Sequence, residues 1–250
     1  MQVAPSFPKS RRRMRRGVFI LPSALTIGSI YCAFNAIIVA YRGQFEHAGI
    51  WILVAAVLDT LDGRIARLTR TATDFGRELD SLADAVAFGV APALCVYFYT
   101  LKDIERVGWL LAFLYVTCGI IRLARFNILA MSGVKKNFVG LPIPAAASIL
   151  ALLLLLGVPP TSLVYPASVL GLAYLMVSTI PYPAFKDLDI KTMRPTFTLL
   201  AIVLIFLIVA FHPPFSLFIL LNVYLASGPF LLISRRFSRR KEEVEVPDEI

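Results

Sequence analysis

Long apolar runs are the feature that most restricts how this chain can fold. Eight such runs can be marked along its 250 residues, and a run of about 17 to 25 apolar residues fits a bilayer core of about 30 Å. Backbone groups in hydrocarbon need internal hydrogen bonds, and the alternation of a membrane barrel is absent from runs such as residues 151–156. The sequence therefore predicts an all-α, polytopic membrane protein. The predicted spans are residues 22–41, 47–67, 76–100, 107–131, 141–157, 162–181, 196–211 and 215–233.

Composition excludes a soluble domain. Hydrophobic residues make up 58% of the chain and charged residues 16%, and the mean hydropathy is +0.76. A soluble globular domain has roughly 45 to 50% apolar residues. Helix-breaking pairs, such as Arg42-Gly43, Pro159-Pro160 and Pro213-Pro214, separate the runs.

Basic residues predict the orientation of the spans. Nineteen of the 25 Lys and Arg residues lie in the two terminal segments and in alternate loops. Basic residues near helix ends stay on the cytoplasmic side, so both termini are expected to be cytoplasmic, in a cell-membrane protein. The predicted organisation is a basic arm at residues 1–21, a membrane domain at 22–234 and a charged tail at 235–250. The arm and the net charge of +9 predict contact with anionic membrane lipids and no nucleic-acid partner.

Acidic residues are concentrated in one window of the chain. Six of the 16 acids lie between residues 59 and 84. Asp59 and Asp62 are three residues apart and Asp80 and Asp84 are four apart, so each pair projects from one face of its helix. The topology places both pairs at the cytoplasmic ends of their helices. Carboxylates that converge in a membrane repel one another unless a cation lies between them.

The chemistry of this acidic group indicates the cation. Four carboxylates with no histidine or cysteine favour a hard cation, Mg²⁺ or Mn²⁺. Two divalent cations would offset the four negative charges, and a pair of metals suits phosphoryl transfer because it stabilises the attacking and leaving oxygens together. The sequence predicts two divalent cations held by Asp59, Asp62, Asp80 and Asp84.

Residues between the aspartates fit a phosphate-bearing ligand. Gly63, Ala66 and Gly76 leave room for a ligand to approach the helices closely, and Arg67 offers a guanidinium group for phosphate. Taken alone, each has an ordinary explanation, such as a packing contact for glycine or a cytoplasmic charge for arginine. Their combination with four aspartates favours a site.

The stretch from Asp59 to Asp84 resembles the signature of the CDP-alcohol phosphotransferase family, with all eight specified positions present. The resemblance implies an all-helical bundle with a cavity open to the cytoplasm and two divalent cations on the four aspartates. It implies that Asp84 is the base that deprotonates the acceptor alcohol. Further residues that it places against the CDP group of the substrate are Gly63, Arg67, Thr73 and Gly76.

The start of the first span resembles a second family motif. Pro22-Ser23-Ala24-Leu25-Thr26 is similar to the family's Pro-Asn-x-x-Thr, with Ser23 in the place of asparagine. Ser23 is also explained as a helix N-cap.

The acceptor is indicated by residues further along the chain. Arg122 and Arg125 lie on one helix face near the depth of the aspartates. Their stretch, with Phe138-x-Gly140-Leu141-Pro142-x-Pro144, resembles the phosphatidylserine synthase branch of the family. This resemblance implies transfer of the phosphatidyl group of CDP-diacylglycerol to L-serine, releasing CMP. Arg122 or Arg125 is expected to hold the acceptor carboxylate or the lipid phosphate, assisted by Asn127 and Lys135.

Two alternatives stay open. The acceptor could be glycerol 3-phosphate or inositol phosphate, whose phosphate would bind the same cationic side chains. A cation transporter could also use membrane carboxylates, although Asp84 lies only about 12 Å from its helix start at 1.5 Å per residue, far from the midplane. The spans after residue 145 are expected to complete the bundle or to form the surface of a homodimer.

Overall fold

The computed structural model describes residues 20–69, 73–131, 140–180, 182 and 212–244, and within these ranges the chain is helical, with no strand. The all-α prediction is confirmed for this part of the chain. A π-helix spans Ala85–Val90, and a short 3₁₀ helix spans Leu101–Asp103. The α-helices are α1 Ile20–Tyr41, α2 Phe45–Thr69, α3 Asp74–Asp84, α4 Ala91–Tyr99, α5 Glu105–Met131, α6 Ile143–Leu155, α7 Val164–Val177 and α8 Pro213–Val244.

Four helical segments are long and apolar enough to cross a bilayer within the described ranges: Pro22–Tyr41, Asp74–Tyr99, Glu105–Leu129 and Pro213–Phe230. The segment Asp74–Tyr99 comprises α3, the π-helix and α4. The predicted span at 196–211 lies outside the described residues, so the count of eight stays a prediction.

Three further predicted spans correspond to helices that are either short or interrupted by charged residues. The 25-residue α2 is long enough, but its second half contains Asp59, Asp62, Arg64 and Arg67. With 13 and 14 residues, α6 and α7 are about 20 Å long at 1.5 Å per residue, which is shorter than the bilayer core. Both are shorter than the apolar runs that predicted them, because each run includes turn residues at its ends.

The core of the bundle is built around α6. Side chains from Ala146 to Leu154 are buried throughout, so this helix is surrounded by others, including α2, α7 and α8. At the crossing with α2, a Cβ on Gly49 would lie 2.5 Å from the Ala151 carbonyl oxygen. Small residues at such crossings let backbones approach closely, as is usual for membrane helices.

Gly140 connects the start of α6 to the end of α7. Its φ of +85° is one that residues with a Cβ rarely adopt. The Gly140 N–H donates to the Ile180 carbonyl oxygen at 2.9 Å, and the Leu141 N–H donates to the Leu175 oxygen at 3.1 Å. The Gly-Leu-Pro stretch that the sequence singled out is thus a tight junction between two helices.

The π-helix follows directly after Asp84. Its wider hydrogen bonding is seen at Ala91, whose N–H donates to the Val86 carbonyl oxygen five residues back. On the neighbouring helix α5, the buried Tyr115 hydroxyl donates to the Phe88 carbonyl oxygen at 3.2 Å. Single π turns inside α-helices are often found at functional sites.

Candidate active site

Three of the four predicted aspartates lie in one group. Asp59 and Asp62, on α2, and Asp80, on α3, each place one carboxylate oxygen within 4.8 Å of the others. Asp62 is buried, and Asp59 and Asp80 are partly buried. The helical spacing of each pair and the contact of both helices with α1 bring these side chains together.

Asp84 adjoins this group through Asp59. The two carboxyl groups are within hydrogen-bonding reach of each other. The Oδ1 atom of Asp84 is buried and has no hydrogen-bond partner among the described residues. Such an atom is costly in a membrane interior unless a ligand or ion pairs with it, so the structure places a fourth carboxylate at the acidic group with an oxygen to spare.

The surroundings of the four carboxylates are partly cationic. The Arg67 guanidinium acts electrostatically on Asp62 and Asp80, and the Arg122 guanidinium acts on Asp84. Two guanidinium groups leave a negative excess on four carboxylates. Oxygen-only donors at this spacing, with one oxygen unpaired, fit hard divalent cations, which take six or more oxygen ligands.

Thr26 donates a hydrogen bond to the acidic group. Its Oγ1 lies 2.8 Å from Asp62 Oδ2, and the two residues are 6% and 4% exposed. The bond joins α1 to the part of α2 that bears the aspartates. A contact of this kind fixes the direction of a carboxylate that would otherwise turn away from its neighbours.

A cavity of about 400 Å³ opens beside the aspartates. Its wall includes all four residues predicted to contact CDP, together with Asp62, Asp80 and the first turns of α1. The Arg67 guanidinium lies over Gly63, where an added Cβ would be 3.5 Å from Nη1. The predicted contacts that line the cavity are Gly63, Arg67, Thr73 and Gly76.

Thr73 also has a local structural role. It is the N-cap of α3, and its hydroxyl oxygen accepts a hydrogen bond from the Gly76 N–H at 3.0 Å. An N-cap satisfies one of the free N–H groups at a helix start. Thr73 therefore sets the point at which α3 begins, six residues before Asp80.

The predicted acceptor residues occupy different positions. Arg122 has Asp84 and Tyr224 of α8 as electrostatic partners, and its Cζ lies 5.3 Å from the Phe126 ring centroid. Arg125 donates from Nη1 to the Val177 carbonyl oxygen at 3.4 Å, at the end of α7. Asn127 donates from Nδ2 to Ser81 Oγ at 2.8 Å. Lys135 lies outside the described residues.

Sequence reasoning did not assign three residues that the structure places beside the site. Thr26 was noticed only as part of the motif that starts the first span. Ser81 occupies one of the unspecified positions between Asp80 and Asp84, and Tyr224 lies in the distant α8. Only Thr26 carried a sequence signal.

Comparisons with known proteins give matches over most of the chain. The family model described as CDP-alcohol phosphatidyltransferase matches residues 19–181. The chain is 39% identical over 236 residues to the CDP-diacylglycerol–serine O-phosphatidyltransferase of Helicobacter pylori strain 26695, covering 90% of this chain and 97% of that one. It is 38% identical over 248 residues to the protein of the same name from Mycobacterium tuberculosis strain H37Rv, covering 93% and 85%. It is 36% identical over 174 residues to the archaetidylserine synthase of Methanothermobacter thermautotrophicus, covering 69% and 73%.

Proposed function

Because the chain belongs to the CDP-alcohol phosphatidyltransferase family, we propose that it transfers the phosphatidyl group of CDP-diacylglycerol to the hydroxyl of L-serine. The products are phosphatidylserine, which stays in the bilayer, and CMP. The chain is thus an enzyme of phospholipid biosynthesis, and its substrates meet at the membrane surface.

One observation carries the proposal. The carboxylate oxygens of Asp59, Asp62 and Asp80 lie within 4.8 Å of one another, and Asp62 and Asp80 line a cavity of about 400 Å³ whose wall also contains Arg67. A nucleotide diphosphate needs cations next to it and backbone that it can approach closely. The acidic group would supply cations once it holds metal, and the glycines at 63 and 76 supply backbone that the nucleotide can approach closely.

The residues proposed to hold two divalent cations, Mg²⁺ or Mn²⁺, are Asp59, Asp62, Asp80 and Asp84. When bound, the cations supply positive charge next to the diphosphate and next to the oxygen atoms that attack and leave. The unpaired Oδ1 of Asp84 and the acid-only donor set support this assignment.

The chain's own side chains bind and orient the nucleotide. Arg67 is proposed to pair with the diphosphate oxygens, because its guanidinium lies in the cavity wall above Gly63. Gly63 and Gly76 let the ligand reach the helix backbones. Thr73 is proposed to contact the CDP group from the start of α3, where its oxygen also caps the helix.

Asp84 is proposed to remove the proton from the serine hydroxyl. The serine oxygen then forms a bond to the phosphorus that carries the diacylglycerol group, and the bond from that phosphorus to the oxygen of CMP breaks. The proton passes to Asp84, and the electron pair of the broken bond leaves with CMP. A general base in this position contributes about 10²- to 10⁴-fold in rate.

Arg122 is proposed to hold the carboxylate of serine. Its guanidinium has Asp84 as an electrostatic partner, so an acceptor bound to Arg122 has the proposed base nearby. Arg125 and Asn127 donate hydrogen bonds to the Val177 carbonyl oxygen and to Ser81 Oγ, which favours Arg122 as the direct contact. Lys135 is proposed, from its place in the sequence, to assist Arg122 in binding the acceptor.

The names of the relatives support serine as the acceptor. The relatives from H. pylori and M. tuberculosis have serine in their names. The archaeal relative is named for a different lipid and for the same amino acid. Serine is thus the common element, whereas the lipid differs.

We also propose the arrangement in the membrane. Eight spans with both termini and the active site on the cytoplasmic side of the cell membrane agree with the distribution of basic residues. The membrane domain then comprises residues 22–234, between the basic arm 1–21 and the tail 235–250. A homodimer would use apolar surface contributed after residue 145.

A CMP-release assay tests the function. Purified protein stripped with EDTA is given CDP-diacylglycerol in mixed micelles and either L-serine, glycerol 3-phosphate or inositol phosphate, each with and without Mg²⁺ or Mn²⁺. The expected result is CMP release that needs both serine and a divalent cation.

Other outcomes identify the alternatives. CMP release with glycerol 3-phosphate but not with serine would show that the acceptor is glycerol 3-phosphate. The reaction type proposed from the family would be unchanged. Cation uptake into sealed vesicles without any CMP release would favour a transporter. CMP release at the full rate after complete removal of divalent cations would contradict the role proposed for the aspartates.

A further inference from the structure

The hydroxyl of Thr26 has two acceptors within reach and one proton to give. Its Oγ1 lies 2.8 Å from Asp62 Oδ2 and 3.1 Å from the Pro22 carbonyl oxygen. A hydrogen bond to a carboxylate is shorter and stronger than one to a neutral carbonyl, so the proton points to Asp62. Proximity to both oxygens holds the threonine in a single side-chain rotamer.

The carboxylate of Asp62 needs such an anchor. It lies within 4.8 Å of the carboxylates of Asp59 and Asp80, and their repulsion favours a rotamer that points away from them. The Thr26 hydroxyl holds Oδ2 from the side of α1, and the Gly63 backbone N–H and the Arg67 guanidinium act on the same carboxylate from α2. Thr26 and Asp62 are both buried, so water competes little for the hydrogen bond between them.

We propose that Thr26 is a positioning residue, which holds the Asp62 carboxylate in the orientation that binds a divalent cation. The inference rests on the proposed function, because it requires cations at the acidic group. It adds a residue of α1 to an acidic group whose carboxylates come from α2 and α3. Groups that orient metal ligands typically change metal affinity about 10- to 100-fold when they are removed.

The test measures metal binding without catalysis. Protein purified in detergent and stripped with EDTA is titrated with Mn²⁺ in the absence of substrates, and free Mn²⁺ is followed by electron paramagnetic resonance. Thr26→Val keeps the shape of the side chain and removes the hydroxyl. We expect it to raise the Mn²⁺ dissociation constant about ten-fold. Thr26→Ser keeps the hydroxyl and should stay close to the wild-type value.

Ser29→Ala is the matched control. Ser29 lies one turn further along α1, is also buried, and donates to the Ala55 carbonyl oxygen of α2 at 3.3 Å. The control removes a hydrogen bond between the same two helices without touching an aspartate. Its Mn²⁺ affinity should equal that of the wild type, which separates an effect on Asp62 from a general loss of α1–α2 packing.

Turnover gives a second readout. Thr26→Val should need about ten-fold more Mn²⁺ for half-maximal CMP release, and saturating Mn²⁺ should restore most of the rate. If the valine variant does not accumulate as folded protein, Thr26→Ala replaces it. A folded Thr26→Ser that loses as much Mn²⁺ affinity as the hydroxyl-free variant would contradict the proposal.

The failures of the two proposals are distinguishable. Wild-type protein that binds no Mn²⁺ would overturn the proposed metal site and this inference with it. Wild-type protein that binds Mn²⁺, together with a Thr26→Val variant of equal affinity, would overturn the inference alone.

Discussion

Asn127 Nδ2 donates a 2.8 Å hydrogen bond to Ser81 Oγ, and this bond joins α5 to α3 at the residue after Asp80. The same α5 contains Arg122, an electrostatic partner of Asp84. The helix that carries two of the aspartates is therefore fixed against the helix that carries the proposed acceptor contact. We therefore expect this junction to set the relative position of the residues proposed to bind the two substrates.

The first prediction concerns that junction. Ser81→Ala and Asn127→Ala should each lower the free energy of unfolding by about 1 kcal/mol, because each removes one hydrogen bond. The double variant should lose little more than either single one, as expected for direct partners. Thermal denaturation in detergent measures this. A serine KM that rises in Asn127→Ala but not in Ser81→Ala would instead indicate that Asn127 contacts the acceptor.

The second prediction concerns the metal ligands. Asp59→Asn and Asp80→Asn should abolish CMP release, because an amide in place of a carboxylate removes charge from the proposed cation site. Mn²⁺ titration should show weaker binding in both variants. Retained activity with an unchanged metal requirement would contradict the assignment of these two residues.

The third prediction separates chemistry from binding. Asp84→Asn should lower the rate of CMP release by about 10²-fold or more, because the asparagine cannot accept the proton of the serine hydroxyl. Binding of CDP-diacylglycerol, measured with a labelled substrate, should change much less. Undiminished turnover in this variant would remove Asp84 as the base.

The fourth prediction concerns the acceptor. Arg122→Ala should raise the KM for serine by about 10- to 100-fold, the effect of losing a hydrogen bond to a charged group. Arg125→Ala is the comparison, because that guanidinium donates to the Val177 carbonyl oxygen instead. A KM for serine that is unchanged in Arg122→Ala would show that the acceptor binds to another group.

The fifth prediction concerns the α6–α7 junction. Gly140→Ala should destabilise the protein by about 1 to 3 kcal/mol through backbone strain alone, and further because its Cβ would lie 2.5 Å from the Met176 carbonyl oxygen. Gly157→Ala is the control: its φ is +61°, but an added Cβ meets no atom within 4 Å. Equal melting temperatures for the two variants would show that the close approach at Gly140 has no effect.

Much of the site was predictable because its residues follow helical periodicity. The spacing of Asp59 and Asp62, and of Asp80 and Asp84, indicated two faces that converge, and the structure brings three of these carboxylates within 4.8 Å. The start of α3 was not predicted at Thr73, because capping depends on the direction of one hydroxyl group. The motif that contains Thr26 was visible, but its hydrogen bond to Asp62 depends on how two helices cross.

The bounds of several predicted spans differ from those of the helices. Apolar runs indicate how much chain is hydrophobic, but the backbone ends a helix earlier when a turn follows. The run at 141–157 contains only the 13 residues of α6, because Gly140 to Pro142 form the junction before it and Gly157 adopts a positive φ after it. No apolar pattern distinguishes the π-helix Ala85–Val90 from the α-helices around it.

That π-helix divides Asp74–Tyr99, a segment long and apolar enough to cross a bilayer, into two halves. The wide turn changes the angular position of the residues that follow it, so it sets how the buried face of Ala91–Tyr99 is oriented relative to the carboxylates of Asp80 and Asp84. Inserting or deleting one residue inside Ala85–Val90 would be the damaging change, since it alters the angular offset between the halves. Natural variation in length is therefore expected to avoid these six positions.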